Sequence, residues 1–261
     1  MDPRGKIAVV TGAAGGIGGA IVRALVDAGA RTVVATDIRT DGLPSGDRIV
    51  ARALDVADAD ATQALVDSIE SEYGPVDFWF ANAGVAGGGG ADAPDSTWDL
   101  QWRVNVLAHA YAARALLPGW TARGEGHLIT TASMAGILTS LGDGVYAATK
   151  HAALGFAEWL AITHADQGVK VSCICPGGVD TPMLRGTTGD PARAAAAIGG
   201  GEVLSPDEAA ARVIAAVKDD VFFIYTHPEL KLYVERKADD PDRWIRGMAR
   251  LWARSKDLLA D

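Results

Sequence analysis

Cysteine is scarce in this chain, with 2 cysteines in 261 residues. A chain of this length buries an ample core without disulfide staples. The two cysteines, Cys173 and Cys175, stand two apart in the apolar run VKVSCIC. A strand would point both side chains to one face, where a bridge between such close neighbours would be strained. We therefore expect two buried free thiols in a reducing compartment.

Long hydrophobic runs are also missing. No apolar run approaches the roughly 20 residues that span a bilayer. The first stretch, MDPRGKIAVVTG, has neither the long apolar segment nor the cleavage site of an export signal. The sequence thus predicts no membrane partner and a cytoplasmic location.

Positive charge and metal ligands are scarce as well. The net charge of −9 argues against a nucleic-acid partner, because such proteins need a basic face to neutralise phosphates. The 5 histidines are scattered, and none has a metal-ligand spacing beside a cysteine or carboxylate cluster. We predict neither bound nucleic acid nor a bound metal.

What the sequence does contain is a regular alternation of short apolar runs and segments with helical periodicity. Seven runs are typical of strands: KIAVVTG, TVVATD, RIVARALD, VDFWFANAG, HLITTAS, VKVSCICPG and VFFIYT. Strands and helices in alternation require right-handed crossovers and a parallel sheet covered on both faces. No linker or repeat divides the chain. The sequence predicts an α/β fold, a single Rossmann-type domain over residues 1–261 with a doubly wound parallel sheet of about seven strands.

The first strand runs into the glycine-rich turn TGAAGGIG, which includes Gly12, Gly16, Ile17 and Gly18. Glycine permits a tight turn and lets the backbone approach a pyrophosphate, which then binds the exposed N–H groups of the following helix. Glycine-rich turns also serve plain packing. In this strand–turn–helix context, however, the stretch predicts dinucleotide binding.

The second predicted strand ends in Asp37, about twenty residues further on. A carboxylate there can accept both hydrogen bonds of an adenosine ribose diol. It would also repel a 2′-phosphate, and residue 15 in the turn is glycine rather than a basic residue. Arg39 is the nearby cation that weakens this repulsion, and Asp37 as a helix cap is the structural alternative. NAD is the predicted cofactor.

With these motifs, residues 6–226 closely resemble the short-chain dehydrogenase/reductase family. The resemblance rests on TGAAGGIG, Asp55-Val56, Asn82-Ala83-Gly84, Asn105, Ser133, Tyr146-x-x-x-Lys150 and Pro176-Gly177 with Thr181. It implies that Asp55 and Val56 contact adenine, that the turn Asn82, Ala83 and Gly84 braces the central strand, and that Pro176, Gly177, Val179 and Thr181 lie at the cofactor, the last two at the nicotinamide carboxamide. It further implies a homodimer or homotetramer.

The chain departs from the family pattern at two places. Ala81 replaces a second asparagine before Asn82. The usual Val-Asp-Gly-Gly strand ending, which belongs to the family's tetramer contacts, is replaced by VFFIYTHPELKLYVERK. Trp98 and Trp102, on the first of two long helices that commonly form a dimer contact in the family, could belong either to the core or to that contact.

Oxidation of an alcohol requires a group that takes a proton, and Tyr146 is the predicted acid–base residue. A free phenol has a pKa of about 10, too high for an efficient base. Lys150 shares its helix face, would favour the phenolate and could hydrogen-bond the nicotinamide ribose. Ser133 can donate to the substrate oxygen, and the resemblance implies that Asn105 holds a relay water. Ser133 as a helix cap and Asn105 as a solvated helix residue are the alternatives.

The resemblance also locates the substrate pocket. The residues implied to line it are mainly apolar: Met134, Ala135, Leu138, Leu141, Met183 and Leu184, with Val85 and Gly178 nearby. Asp143 is the single charge, and no arginine is placed to bind a carboxylate unless Arg185 turns inward. An apolar secondary alcohol or ketone is therefore the predicted substrate, with residues 182–204 as a lid.

Two other functions compete with this one. An NADPH-dependent ketoreductase of the same fold is disfavoured by Asp37. A non-catalytic protein that senses a dinucleotide is disfavoured because such proteins generally lose the tyrosine or the lysine, and this chain has both Tyr146 and Lys150.

The tail at residues 228–261 is helical by periodicity and has no counterpart in the family pattern. From Pro241 onward, one stripe carries Trp244, Met248, Leu251, Trp252 and Leu259, with basic residues largely off it. Such a helix could lie on a membrane surface or pack on protein. Because the chain is acidic overall, we predict packing over the substrate mouth or against a neighbouring subunit, with Trp244 or Trp252 buried.

Overall fold

Seven parallel strands form one sheet in the order β3-β2-β1-β4-β5-β6-β7. The computed structural model describes residues 1–87, 89–188 and 202–255. The strands are β1 (Ile7–Thr11), β2 (Thr32–Asp37), β3 (Ile49–Ala53), β4 (Phe78–Ala81), β5 (Gly126–Thr131), β6 (Val169–Cys175) and β7 (Phe223–Tyr225). Each predicted apolar run contains one of them, and all pairings are parallel. The predicted fold class is confirmed.

Helices connect the strands. Those in the described part of the chain are α1 (Gly16–Asp27), α2 (Ala59–Tyr73), α3 (Asp95–Trp102), α4 (Ala108–Arg123), α5 (Ala135–Leu138), α6 (Gly144–Thr163), α7 (Pro182–Thr188), α8 (Pro206–Lys218), α9 (Lys231–Asp239) and α10 (Pro241–Ser255). The single long helix expected from residue 95 is interrupted by a π-helical segment at Arg103–Leu107. Such segments commonly occur at functional sites, and this one contains Asn105.

The core has two layers, one on each face of the sheet. Along β1, Ile7 and Val9 belong to one layer, while Ala8 and Val10 belong to the other. Successive side chains of a strand point to opposite faces, so a strand covered on both sides is apolar at most of its positions. Helices α1 and α8 cover one face, and α2, α4 and α6 cover the other. This arrangement explains the continuous apolar runs in the sequence.

The strand order reverses between β1 and β4, and this reversal locates the site. The chain proceeds outward from β1 to β2 and β3, then crosses back to place β4 on the other side of β1. In open parallel sheets, a crevice forms at such a point beyond the carboxyl ends of the strands. The segments after β1, β4, β5 and β6 therefore meet at one edge.

Both cysteines of β6 are buried, whereas neither tryptophan of α3 is fully buried. Cys173 and Cys175 are both buried on β6 and both are free thiols, as predicted. Trp102 is 44% exposed, so the structure contradicts a core position for it, whereas Trp98 is partly buried. None of the described helices has the length and apolar character of a membrane span.

The packing of Trp120 against Gly126 yields a stability prediction. Trp120 is fully buried, and its indole N–H donates to the Val76 carbonyl at 2.7 Å. A Cβ at Gly126 would lie 2.1 Å from Trp120 Cδ2. We expect Gly126→Ala to lower the free energy of unfolding by about 2 kcal/mol, because a well-packed core does not accommodate an added methyl group. Urea denaturation followed by circular dichroism measures this change.

The matched control is Gly119→Ala, in the exposed part of α4 beside Trp120, where an added Cβ has nothing within 4 Å. Alanine is the better helix former, so this variant should be unchanged or more stable by about 0.5–1 kcal/mol. Equal effects of the two substitutions would contradict the packing argument.

Candidate active site

A cavity of about 780 Å³ opens at the carboxyl ends of the strands. Its walls come from the turn after β1, the end of β2, the loop after β4, the segments after β5 and β6, and helices α6, α7, α9 and α10. Nearly all the predicted site residues lie in these walls. The cavity has a glycine-rich half next to α1 and an apolar half under α7 and α10.

The glycine-rich half has the features of a phosphate-binding turn. Helix α1 begins after Gly15, and no side chain caps its first amide groups and no acidic residue stands in its first turn. The positive end of the helix dipole therefore faces the cavity uncompensated. A Cβ at Gly15 would meet nothing within 4 Å, so this turn is open to a ligand.

Gly18 has a different role from the other glycines of the turn. A Cβ there would lie 2.1 Å from the Gly12 carbonyl oxygen, and Gly18 is buried behind the turn and does not line the cavity. Gly12, with φ +66°, needs the left-handed conformation. The absence of a side chain at Gly18 therefore permits close packing of α1 against the turn after β1.

Asp37 lies at the edge of the same turn and lines the cavity. Its carboxylate accepts the backbone N–H of Ala14 at 3.1 Å and that of Ile38 at 2.8 Å. These bonds fix the carboxylate beside the turn, in the position that suits a ribose diol. Arg39 is exposed and does not line the cavity.

Two predicted adenine contacts do not reach this cavity. Asp55 and Val56 follow β3, the outermost strand on that side, and neither lines the cavity. Asp55 is exposed, and its carboxylate accepts the N–H of Ala57 at 2.9 Å. In this structure the Asp55 carboxylate is thus engaged within a local turn of the backbone.

The turn Asn82, Ala83 and Gly84 joins the two central strands. The N–H groups of Asn82 and Ala83 both donate to Thr11 Oγ1 at 3.0 Å. The Asn82 side chain donates to the Thr11 carbonyl, also at 3.0 Å. The brace that the family resemblance implied is thus present, and all three residues of the turn line the cavity.

Asn105 is buried in the π-helical segment. Its Oδ1 accepts the N–H of Val85, and its Nδ2 donates to the Val85 carbonyl, each at 2.9 Å. Nδ2 also lies 3.1 Å from Thr149 Oγ1 on α6. The alternative that Asn105 is a solvated helix residue is wrong. Its side chain holds the loop after β4 to α6.

Ser133, Tyr146 and Lys150 meet in the wall between the two halves of the cavity. Asp143 caps α6 by accepting the N–H of Tyr146 at 3.0 Å, which fixes the first turn of that helix. The Lys150 ammonium donates to the Thr131 carbonyl at 2.8 Å and lies 5.6 Å from the centre of the Tyr146 ring. Ser133 Oγ accepts the N–H of Ala135 at 3.0 Å. The N-cap of α5 is Met134 and no side chain caps that helix, so Ser133 is not its helix cap.

Burial dominates the ionisation of these groups. It raises the pKa of Tyr146, and a hydrogen bond with Ser133 only partly opposes this. It lowers the pKa of Lys150 from 10.5 to about 8. The expected lowering of the Tyr146 pKa by Lys150 is not seen in the protein alone, because burial is the largest effect on this phenol and raises its pKa.

The apolar half contains every predicted substrate residue. These are Met134, Ala135, Leu138, Leu141, Met183 and Leu184. Arg185, the arginine nearest to them in the sequence, forms a two-pronged ion pair with Asp180 at 2.7 and 2.8 Å. Of the expected lid, residues 189–201 lie outside the described residues. Shortly after this segment, Leu204 pairs with Val179 in an isolated parallel β-bridge.

The remaining predicted cofactor residues lie at the start of α1, after the turn that follows β1, and in the segment after β6. Gly16, Ile17, Pro176, Gly177, Val179 and Thr181 all line the cavity. Sequence reasoning missed His227, which is buried behind Gly177. Its Nδ1 accepts the Gly177 N–H at 3.2 Å, and its Nε2 lies 3.0 Å from the Glu202 carbonyl. Because this stretch departs from the family pattern, no motif indicated it.

The helical tail packs over the substrate mouth of its own chain. Trp244, Met248 and Leu251 line the same cavity as Tyr146, which confirms one of the two predicted locations. Asp240 accepts the N–H of Arg243 at 2.8 Å and so caps α10. The expectation of a buried tryptophan is wrong: Trp244 is partly exposed and Trp252 is 38% exposed, because α10 covers open cavity space rather than solid core. Leu259 lies outside the described residues.

The family model for short chain dehydrogenases matches residues 6–191. Because this match covers well over half of the chain, the protein belongs to the short-chain dehydrogenase/reductase family of oxidoreductases, whose members act on hydroxyl or keto groups. The nicotinamide dinucleotide of the family suits the uncapped α1 and its open glycine turn. A group of side chains that could hold a metal ion was not found among the described residues.

Relatives and solved structures agree with this assignment. The chain is 37% identical to 1-deoxy-11-beta-hydroxypentalenate dehydrogenase of Streptomyces avermitilis, with 98% of this chain and 96% of that protein covered. It is 32% identical to 3beta-hydroxysteroid dehydrogenase 2 of Eggerthella lenta, with 68% and 72% covered. A short chain dehydrogenase/reductase of Burkholderia phymatum in complex with NAD superposes with a TM-score of 0.83 at 27% identity, covering 93% of this chain and 96% of that one.

The buried ammonium of Lys150 yields a prediction about stability and pH. Below pH 8 the folded protein carries the full burial penalty of the charge. Between about pH 8 and pH 10.5 the folded protein loses this proton before the unfolded chain does, so the penalty disappears as the pH rises. The lowered pKa corresponds to about 3 kcal/mol, and the bond to Thr131 offsets about 1 kcal/mol. We expect Lys150→Met to be about 2 kcal/mol more stable than wild type at pH 7.

Urea denaturation from pH 7 to pH 10.5 measures this advantage, which should shrink above pH 8. The control is Lys218→Met, since Lys218 is exposed and carries no burial penalty. An advantage that did not change with pH would show that Lys150 is not a strained buried charge.

Proposed function

We propose that the protein is a nicotinamide-dependent dehydrogenase that interconverts a secondary alcohol and a ketone on an apolar, cyclic compound. The observation that carries this proposal is the position of Tyr146, Ser133 and Lys150. They lie in one wall of the cavity, between the phosphate-binding half and the apolar half. A group that exchanges a proton with the substrate oxygen is needed at that boundary, where the substrate and the cofactor meet.

In the direction of oxidation, the proton of the substrate hydroxyl passes to the Tyr146 oxygen. A nicotinamide dinucleotide held in the glycine-rich half, where Gly16 and Ile17 line the cavity, would take up the hydride released from the carbinol carbon. Ser133 holds the substrate oxygen by a hydrogen bond and stabilises the charge that develops on it. Lys150 contributes a positive charge behind the tyrosine ring, and Asn105 keeps the adjoining loop in place through Val85.

Burial raises the pKa of Tyr146, which suits its acid role in ketone reduction. The phenolate needed for alcohol oxidation then requires additional positive charge near the ring. The Lys150 ammonium and the positive charge of an oxidised nicotinamide supply it. The two directions therefore place opposite demands on the same group, and oxidation should be favoured by alkaline conditions.

Asp37 supports NAD as the preferred cofactor. Its carboxylate is fixed at the end of β2 by two backbone N–H groups, so it cannot swing away from a 2′-phosphate without losing both bonds. The NADPH-dependent ketoreductase remains the second candidate. The non-catalytic dinucleotide sensor is the third, and turnover of any alcohol would exclude it.

The apolar walls support a bulky, largely hydrocarbon substrate. Relatives act on compounds of this kind: one on a hydroxypentalenate and one on a hydroxysteroid, by their names. The alignment with the hydroxypentalenate dehydrogenase covers 98% of this chain, while that with the steroid enzyme covers 68%. The first relative thus shares nearly the whole chain, including part of the tail that roofs the cavity.

The catalytic prediction concerns Tyr146→Phe, which removes the exchangeable proton and little else. We expect kcat to fall by at least roughly a hundredfold, the scale of general acid–base catalysis, with the dissociation constant for NAD unchanged. Steady-state turnover of a secondary alcohol and calorimetric titration of NAD measure the two quantities. Tyr111→Phe on α4 is the control and should behave as wild type. Retention of near-normal turnover by the Tyr146 variant would assign the proton transfer to another residue.

The cofactor prediction is a preference for NAD over NADP of roughly a hundredfold in kcat/KM, which corresponds to about 3 kcal/mol. Asp37→Ser should narrow this preference mainly by weakening the binding of NAD. Asp41→Ser, at an exposed carboxylate that does not line the cavity, has the same change in charge and should leave the preference intact. Equal efficiency with both cofactors in the unaltered protein would refute the assignment.

A further inference from the structure

A second cavity, of about 440 Å³, lies between α9 and α10. It shares Tyr233, Trp244 and Met248 with the substrate cavity. The two spaces therefore adjoin, and these three side chains form the boundary between them. A ligand with its hydroxyl at Tyr146 and a body longer than the apolar half would extend across this boundary into the second cavity, which we call the outer cavity.

The outer cavity is lined by three arginines: Arg236, Arg243 and Arg250. In the described part of the chain, none of them forms an ion pair. Arg236 lies over the Tyr233 ring at 5.7 Å. Guanidinium groups that pair with no described carboxylate and lie next to an aromatic ring are suited to bind a planar anion. The planar guanidinium can donate two parallel hydrogen bonds to such an anion.

The acidic residues of the outer cavity limit the charge of that anion. Asp239 and Asp240 also line it, so three positive charges face two negative ones and a net charge of about +1 remains. Asp240 is engaged as the cap of α10 through the N–H of Arg243. A singly charged carboxylate suits this balance better than a phosphate with about two charges.

The two helices are held in place from below. Lys237 on α9 donates to the Ile137 carbonyl on α5, and the Tyr233 and Trp244 rings pack with their centres 6.1 Å apart. Leu230 and Tyr233 line the substrate cavity beneath the pair of helices α9 and α10. The arginines are therefore presented from a support that contacts the substrate wall.

We propose that α9 and α10 form a carboxylate-binding site for the far end of the substrate. In this proposal, which rests on the proposed function, the substrate is an apolar secondary alcohol that also carries a carboxylate. Its hydrocarbon body lies on Trp244 and Met248, and its carboxylate binds to Arg243, Arg250 and Arg236. These arginines all lie on α9 and α10, outside the segments that the family resemblance assigned to the pocket.

The experiment compares hydroxy acids with their methyl esters, which keep the same hydrocarbon body and lack the negative charge. Suitable probes are (ω−1)-hydroxy fatty acids of short, medium and long chain and a 3-hydroxy steroid acid. For an acid that reaches the outer cavity, we expect a KM roughly tenfold below that of its ester, the scale of one charge-assisted hydrogen bond. The values of kcat should be similar, and the advantage should be absent for short acids.

Variants assign the effect to the arginines. Arg243→Ala and Arg250→Ala should each raise the KM for the long acid several-fold and leave that for the ester unchanged. Arg246→Ala is the matched control, because Arg246 is exposed on the same helix and lines neither cavity. An acid advantage that survives in both lining variants, or that is lost equally in the control, would overturn the proposal.

A binding measurement separates this proposal from the proposed function. Calorimetric titration of the acid and its ester, in the presence of NAD, gives their affinities whether or not turnover occurs. Tighter binding of the acid that is lost in the Arg243→Ala, Arg250→Ala double variant supports the carboxylate site even if no probe is oxidised. Equal affinities of acid and ester would overturn the carboxylate site even if both are oxidised.

Discussion

The junction between β1 and β4 is the connection on which both halves of the cavity depend. One hydroxyl, Thr11 Oγ1, accepts the N–H groups of Asn82 and Ala83 where β4 ends. The Asn82 side chain completes the tie by donating to the Thr11 carbonyl. The ladder between β1 and β4 ends at the pair Val10 and Phe80, and beyond it the two connections leave in opposite directions, which opens the crevice. The glycine turn after β1 and the loop after β4 take their positions from this small group of hydrogen bonds.

From that junction, a chain of contacts leads to the catalytic wall. Asn105 bonds the loop after β4 through Val85 and contacts Thr149 on α6. Helix α6 carries Tyr146 and Lys150, and Asp143 fixes its first turn while also accepting the N–H of Gly87 at 2.8 Å. The burial that positions Lys150 and Tyr146 also shifts their pKa values in opposite directions. The burial of the Lys150 charge therefore lowers the stability of the folded protein at this wall, next to the phenol of Tyr146.

Much of the fold and the inner part of the site could be predicted because the signals are local. Strand runs covered on both faces are continuously apolar, and Tyr146 and Lys150 share a helix face because of their spacing of four. Other features depend on contacts between distant segments. The burial of Asn105 in the π-helical segment accompanies its bonds to Val85, and the direction of the Tyr146 pKa shift follows from burial. His227 could not be found because its partners, Gly177 and Glu202, are remote in sequence.

The roof over the cavity comes from the last described helix of the chain. Helix α10, with Trp244, Met248 and Leu251, follows every other element of the cavity walls in sequence. The glycine turn and Tyr146 belong to elements that precede it, and their positions are set by bonds that do not involve α10. The roof can therefore change in sequence while the proton-transfer group beneath it stays the same.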